Sequence, residues 1–269
     1  MPSRLRSWLA PAPPATIDSI TEPQLRRGTG FELAIVFGVT LGLSGLRSLI
    51  SLADSLLAPQ PLNQQSVAIA APQAHATLLD LAAQLADVLQ LACWGALGLY
   101  LLWRNGILLA SIGLTRYRRG SDTLAGAGLA ALIGIPGLGF YFLARMIGID
   151  LNVQPSVLTD TWWRIPVLIL AAVGNAWAEE TLVVGYLITR LRQLGRRENT
   201  SLLISATLRG SYHLYQGFGG FIGNLIMGCV FGRWWQRTNR LWPLIVAHSL
   251  LDIVSFVGYA LLRNHVSWL

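Results

Sequence analysis

The sequence is poor in charged residues, contains no lysine and has only two cysteines. Charged residues make up 12% of the 269 residues, about half of the roughly 25% that is usual in soluble domains. Hydrophobic residues make up 53% of the chain. This composition excludes a soluble globular protein and a disordered chain, and it indicates an integral membrane protein.

The scarcity of cysteine and lysine narrows the possible partners. Cys93 and Cys229 both lie inside apolar runs, at a spacing that fits neither a disulfide framework nor a cysteine metal site. All 20 basic residues are arginine, and against 13 acidic residues they give a net charge of +7. In a membrane protein such a surplus first reflects topology, because positive charge collects in cytoplasmic loops. We therefore expect no nucleic-acid partner, and the arginine bias favours a bacterial source.

Apolar runs divide the chain into about seven segments that could cross a bilayer. A spanning helix needs about 20 apolar residues, and six segments satisfy this length. They are Phe31–Leu52, Leu79–Trp103, Leu124–Ile147, Trp162–Ile188, Gly219–Trp235 and Leu241–Leu262. A seventh, Ser201–Tyr215, is short and carries Arg209 and His213, so neighbouring spans must shelter it. We predict an all-α polytopic membrane protein with about seven transmembrane helices.

The arginines also predict the orientation of the chain in the bilayer. They cluster in residues 1–30, 104–122, 189–200 and 233–240, whereas the stretches 53–78, 148–161 and 216–218 have none. The positive-inside rule then places the N-terminus in the cytoplasm. We expect a multi-pass protein of the cell membrane, with residues 1–30 as a cytoplasmic tail.

A group of ionisable residues lies inside the predicted spans: Glu179, Glu180, His213, His248 and Asp252. A charge near the bilayer centre costs roughly 2.5–3.5 kcal/mol even on a mild insertion scale, and such residues usually serve function. At about 1.5 Å per helical residue, they lie roughly 10–18 Å from the arginine-rich ends, in one layer. His248 and Asp252 share one helix face. Glu179 and Glu180 are about 100° apart and cannot both point at one atom.

These residue types fit two kinds of hydrolytic site. A buried carboxylate beside a histidine can take a proton from water, which then attacks a carbonyl, while a second imidazole stabilises the oxyanion. Alternatively, Glu179, His213 and His248 could hold a divalent metal such as zinc, with an open position for water. The residues alone do not separate the two.

Three segments carry these residues in order: Ala178–Tyr186 (AEETLVVGY), Ser211–His213 (SYH) and Ala247–Asp252 (AHSLLD). Together they resemble the motifs of the CPBP family, which contains type II CAAX prenyl endopeptidases, bacteriocin-processing proteins and lysostaphin-resistance-like proteins. The resemblance covers about residues 160–257. It implies an intramembrane endopeptidase that needs no cofactor and acts on a peptide or membrane-protein substrate. We expect that substrate to be presented from the cytoplasmic side.

The resemblance also implies a role for each residue of the group. Glu179 corresponds to the general base that activates water, and His213 helps to orient that water. Glu180 supports the site structurally. His248 and Asp252 correspond to the pair that stabilises the oxyanion.

Two positions depart from the family pattern. Val184 stands where the family usually has an arginine, and Arg209 stands where it has an aromatic residue. We hypothesise that Arg209 supplies the missing positive charge, as a partner for Glu180. Tyr212 and Asn175 are further candidates for substrate contact or support of the site.

The resemblance completes the predicted organisation of the chain. Residues 31–147 form three N-terminal transmembrane helices with loops, residues 160–257 the protease-like core in the last four helices, and residues 258–269 the C-terminal end. Two other functions stay open. One is a non-catalytic membrane scaffold or bacteriocin-immunity protein of the same fold. The other is an ion or proton pathway, since buried acids and histidines also form relays.

Overall fold

The computed structural model describes residue 11, residues 17–263 and residue 265. The rest of the predicted cytoplasmic tail (residues 1–10 and 12–16) and of the C-terminal end (residues 264 and 266–269) lies outside the described residues. What is described is mostly helical, as predicted.

The secondary structure consists of long helices and one small sheet. The α-helices of the described chain are α1 Pro23–Val39, α2 Leu41–Leu57, α3 Thr77–Arg104, α4 Ser121–Met146, α5 Arg164–Glu179, α6 Leu187–Gln193, α7 Glu198–Ser211, α8 Phe218–Thr238 and α9 Trp242–Leu262. A π-helix, Glu180–Tyr186, joins α5 to α6 without a break. The strands β1 Ser66–Ala70 and β2 Asn152–Ser156 form a parallel pair.

Four helical segments of the described chain are long and apolar enough to span a membrane: α3, α4, the continuous run Arg164–Gln193, and α9. Helices α1 and α2, bent by 52° relative to each other, make a fifth if they form one broken span. The protein is therefore a multi-pass membrane protein, but the predicted count of seven spans is not confirmed. With 14 residues, α7 is only about 21 Å long. Asn224 and Arg233 make α8 less apolar than the others.

The first span differs from the prediction Phe31–Leu52 in both length and shape. Helix α1 begins at Pro23 because the Glu22 side chain accepts hydrogen bonds from two N–H groups of the first turn, and proline suits a first helical position. The predicted tail of residues 1–30 is therefore partly helical. The helix breaks at Thr40, whose backbone is not helical (φ −127°, ψ −128°).

The strands are a second departure from the all-α prediction, and they define one face of the bundle. Pairing of Ser66 with Asn152 and of Ala70 with Ser156 joins the loops 58–76 and 147–163. The Arg263 guanidinium, just after α9, donates to the Ser156 carbonyl at 2.9 Å. These two loops and the end of α9 form what we call the strand face.

The loops 105–120, 194–197 and 239–241 form the opposite, arginine-rich face. Trp235 of α8 donates from Nε1 to the Ile112 carbonyl at 2.8 Å. The guanidinium carbon of Arg192 lies 4.6 Å from the centroid of the Trp235 ring. These contacts tie the loops together. The arginine-rich and arginine-free loops of the sequence therefore lie on opposite faces.

Close packing of α7 against α8 brings an arginine of α7 to the centre of the bundle. A Cβ atom on Gly228 would lie 2.9 Å from the Ala206 Cα and 3.3 Å from the Arg209 Cδ, so only glycine allows this approach. The Arg209 guanidinium carbon lies 5.8 Å from the centroid of the Phe231 ring of α8. Small residues at helix crossings commonly allow such contacts in membrane proteins.

Candidate active site

The two neighbouring glutamates lie at the point where α5 changes into the π-helix. Glu179 ends α5 and Glu180 begins the π segment, in which N–H groups bond five residues back, as Leu187 does to the Leu182 carbonyl. The hydroxyl of Ser205 on α7 donates to the Val183 carbonyl at 2.7 Å. The predicted span Trp162–Ile188 is therefore present as part of the continuous run Arg164–Gln193, but it is not regular α-helix at this point. π-Helical turns are rare and frequent at functional sites.

Arg209 bridges both glutamates. Its Nη2 donates to the Glu180 Oε1 at 2.6 Å, and its Nη1 donates to the Glu179 Oε2 at 3.3 Å. The side chains of Arg209 and Glu180 are fully buried. The expected ion pair between Arg209 and Glu180 is thus present, and Glu179 shares the same guanidinium through its other nitrogen.

The predicted span Ser201–Tyr215 ends earlier than expected, so His213 lies in a turn rather than in a helix. Helix α7 stops at Ser211, and a 3₁₀ turn follows His213. The neighbouring Tyr212 hydroxyl donates to the Glu179 Oε2 at 2.6 Å. The Nδ1 atom of His213 lies 3.0 Å from the Arg209 carbonyl oxygen. Because a carbonyl only accepts, Nδ1 carries the hydrogen and Nε2 is left for another partner.

His248 and Asp252 share one face of α9, as predicted. The Nδ1 atom of His248 lies 2.8 Å from the Glu180 Oε1. The distance from His248 Nε2 to the Asp252 Oδ2 is 3.6 Å, which is too long for a hydrogen bond. The Asn175 side-chain amide of α5 donates to this same Asp252 oxygen at 2.9 Å.

A cavity of about 1400 Å³ connects most of these residues. Its lining includes the predicted site residues Glu179, His213, His248, Asp252, Tyr212 and Asn175. Glu180 and Arg209 are not part of the lining and lie behind it, both with an exposed fraction of 0%. The structure thus brings all eight predicted site residues together, but it divides them between cavity wall and supporting layer.

The alternative metal ligands Glu179, His213 and His248 do not form a metal site in this arrangement. Among the residues that the structure describes, no group of three His, Cys, Asp or Glu side chains is placed to hold a metal ion. The Nδ1 atom of His248 faces Glu180, and that of His213 faces a backbone carbonyl.

Sequence reasoning missed Asp150, which fixes the turn that carries His213. Its Oδ1 accepts hydrogen bonds from Gly219 N–H at 2.9 Å and Gly220 N–H at 3.1 Å, at the start of α8. Its backbone pairs with Gly217, which has φ +117° and leaves no room for a Cβ beside the carboxylate. An acidic residue in an arginine-free loop was the available signal, but nothing local shows that it caps a distant helix.

Burial raises the pKa of Asp150 to about 6, although the hydrogen bonds from Gly220 and Gly219 act in the opposite direction. Asp150 also lines the cavity that contains Glu179 and His213. The carboxylate therefore joins the loop after α4 to the wall of the candidate site, close to the strand face.

Part of the chain is similar to a known protein family. Residues 161–254 match the family model described as Type II CAAX prenyl endopeptidase Rce1-like. No curated protein and no solved structure matches the chain. The matched segment runs from just before α5 into α9 and contains the eight predicted site residues, and it confirms the predicted resemblance. Residues 161–254 of the chain are therefore similar to the Rce1-like, type II CAAX prenyl endopeptidase family.

Proposed function

We propose that this protein is an intramembrane endopeptidase that hydrolyses a peptide bond with water activated by Glu179. The single observation that carries the proposal is that Glu179, His213, His248 and Asp252 line one cavity within an Rce1-like domain. The substrate is a peptide or a segment of a membrane protein. No metal takes part in the proposed steps.

The contacts of the two glutamates support different roles for them. Glu180 is fully buried, and its Oε1 is engaged by Arg209 at 2.6 Å and by His248 at 2.8 Å. Glu179 reaches the cavity, and its longer contact with Arg209, 3.3 Å, leaves it the less constrained carboxylate. A general base must reach the proton that it removes, so Glu179 is the base and Glu180 a structural acceptor.

The proposed reaction has two proton transfers. Glu179 takes a proton from water, which His213 orients through Nε2, and the water oxygen bonds to the carbonyl carbon of the scissile peptide. The carbonyl oxygen becomes an oxyanion. When the intermediate collapses, the C–N bond breaks and Glu179 returns its proton to the leaving nitrogen. The Tyr212 hydroxyl, 2.6 Å from Glu179, keeps the carboxylate directed at the cavity.

His248 is the proposed donor to the oxyanion. Its Nδ1 donates to Glu180, and its Nε2 lies too far from Asp252 to be held in a hydrogen bond. An N–H at Nε2 is then available for a developing negative charge. This role requires the imidazolium form of His248, with hydrogens on both nitrogens.

The arginine distribution supports a proposed orientation as well. The loops with arginine clusters share one face, and the positive-inside rule makes that face cytoplasmic. The strand face is then extracytoplasmic, and the start of α1 lies on the cytoplasmic side of a cell membrane.

The proposal is tested with purified protein in detergent and a library of quenched fluorescent peptides, with and without chelator. Glu179→Gln should abolish cleavage, whereas the control Glu32→Gln, which removes a carboxylate outside the cavity, should retain it. Chelator should leave cleavage by the wild type unchanged. Loss of cleavage with chelator would contradict the metal-independent mechanism. Full activity of Glu179→Gln, or a cellular phenotype that survives it together with His213→Ala, would favour the scaffold function.

A further inference from the structure

The lining of the cavity comes from one half of the bundle only. It is formed by the first parts of α2, α3 and α8, by α5, by the turn after α7 and by the C-terminal part of α9, together with α4 and the loops that carry β1 and β2. Within the described chain, no lining residue comes from the stretches 95–126, 180–211 or 228–247. These three stretches contain the loops of the arginine-rich face. The cavity therefore extends toward the strand face.

Four polar residues of the lining lie at its strand-face end and are exposed or partly exposed. Gln73, before α3, and Asp87, on α3, are exposed, and the Gln73 side chain donates to the Asp87 Oδ2 at 2.6 Å. Asn152 of β2 and Arg145 at the end of α4 are partly exposed. Glu179, at the other end of this series, is 3% exposed. We call the first four residues the mouth.

The arginine-rich side of the glutamates is closed by apolar side chains. Leu182, Val184, Ile112, Phe231 and Leu241 belong to one hydrophobic cluster and all have an exposed fraction of 0%. Val184 stands where the family usually has an arginine. This layer therefore has an apolar side chain at a position where a charged one would admit water. A polypeptide cannot reach Glu179 through such a layer unless the layer unfolds.

We infer that the substrate polypeptide reaches Glu179 from the strand face, through the mouth formed by Gln73, Asp87, Arg145 and Asn152. The inference rests on the proposed peptidase function. The occupant of the mouth is an extended segment of a polypeptide that lies outside the membrane on the strand-face side. With the arginine-rich face in the cytoplasm, that segment is extracytoplasmic, contrary to the cytoplasmic presentation expected from the sequence.

The chemistry of the mouth fits the backbone of an extended polypeptide. Carboxamide and carboxylate side chains, together with Arg145, offer both donors and acceptors at the rim. Deeper in the cavity the walls are mostly apolar, from residues of α3 and α4 such as Val88, Leu91 and Ile133. A segment that passes the rim can therefore exchange water for polar partners before its side chains enter the apolar part.

The inference is tested with two single-cysteine variants in a chain whose Cys93 and Cys229 are replaced by alanine. Gln73→Cys places the thiol at the mouth, and Arg116→Cys places it in an exposed loop of the arginine-rich face. Each variant is assayed in detergent with the fluorescent peptides, before and after reaction with a bulky, membrane-impermeant maleimide. Labelling should reduce cleavage at least tenfold in the first variant and less than twofold in the second. The reverse pattern, or no effect in either variant, overturns the inference.

Sidedness gives an independent readout. In sealed proteoliposomes of the Gln73→Cys variant, labelling of the introduced thiol from outside reports the fraction of molecules whose strand face points outward. The rate at which a peptide added outside is cleaved should be proportional to this fraction. In proteoliposomes of the Arg116→Cys variant, external labelling reports the fraction of molecules whose arginine-rich face points outward. Cleavage of the external peptide in proportion to that fraction overturns the inference. Should Gln73→Cys fail to fold, Gln60→Cys, exposed on the same face, serves in this measurement.

Failure of the peptidase proposal itself is recognised separately. In that case no cleavage that depends on Glu179 occurs in detergent, where both faces are accessible, and the inference falls with it. Glu179-dependent cleavage in detergent, combined with access from the arginine-rich face only, rejects the inference but keeps the peptidase.

Discussion

Two of the buried clusters of charge along the continuous span Arg164–Gln193 differ in kind. One is the candidate site around Glu179 and Glu180. The other, which we call the anchor cluster, joins α1 to α6: the Glu32 Oε1 accepts from the Tyr186 hydroxyl at 2.7 Å and lies 2.9 Å from the Arg190 Nε. Both clusters place an arginine against carboxylates among apolar helices.

The anchor cluster pairs one carboxylate with one arginine and has no residue in the cavity wall. The candidate site places two carboxylates against one arginine, adds Asp252 and two histidines, and opens to the cavity. Charge burial alone therefore does not distinguish reactive from structural residues. The feature that distinguishes the candidate site is an excess of carboxylate groups over arginine at the wall of a cavity.

Removal of the two arginines should separate the clusters most strongly. Arg209→Leu leaves Glu179 and Glu180 side by side with only the His248 imidazolium as a counter-charge, and breaking a buried ion pair typically costs about 3–5 kcal/mol. We expect loss of cleavage and a clear drop in the SDS concentration at which the protein unfolds. Arg190→Leu leaves only Glu32, whose side chain is 21% exposed, so its stability loss should be smaller and cleavage should persist.

A double variant separates charge from packing at the candidate site. Adding Glu180→Gln to Arg209→Leu removes one of the two carboxylates that have lost their arginine, so part of the lost stability should return while cleavage stays absent. Equal losses in Arg209→Leu and Arg190→Leu, with no recovery in the double variant, would show that the two clusters do not differ in this way.

Glu32→Gln should have an intermediate effect, on stability alone. The amide keeps an acceptor for the Tyr186 hydroxyl but removes the charge opposite Arg190. Leaving a buried polar group poorly satisfied costs about 1–3 kcal/mol. The expected result is earlier unfolding in SDS with kcat and KM for peptide cleavage unchanged. A fall in kcat equal to that of Glu179→Gln would place the anchor cluster within the catalytic machinery.

The smallest effect is expected at Asp150, between the candidate site and the strand face. Its pKa of about 6 in the folded protein lies above the ordinary value of 3.8, so the folded state holds the proton more tightly than the unfolded state. The free energy of unfolding should therefore fall as the pH rises from about 4 to 6, and level off above that, by on the order of 1 kcal/mol. Asp150→Asn should remove this dependence. A slope that persists in the variant contradicts the assignment.

The sequence predicts those parts of the fold that local hydrophobicity controls. Helices α3 and α9 begin and end within about two residues of the predicted spans Leu79–Trp103 and Leu241–Leu262. His248 and Asp252 share a face because their spacing on α9 requires it. The ion pair of Arg209 with Glu180 was also accessible, since a buried carboxylate needs a positive partner.

Contacts between distant segments decide the rest, and no local pattern reveals them. The π-helix depends on Ser205 of another helix, which satisfies the Val183 carbonyl. Strand β1 has only five residues, and its partner β2 lies beyond α3 and α4. His213 leaves the helix because Asp150, from the loop after α4, fixes the start of α8.

The π-helix also sets the angular relation between the two clusters. Each turn with five-residue spacing takes in one residue more than an α-helical turn, so it shifts the helical phase of everything that follows. If Glu180–Tyr186 closed as regular α-helix at its present length, Arg190 would turn by about 100° relative to the glutamates. Arg209 and Glu32 could not then both keep their partners. The extra residue of the π segment therefore keeps the arginine partners of both clusters in register along one helix.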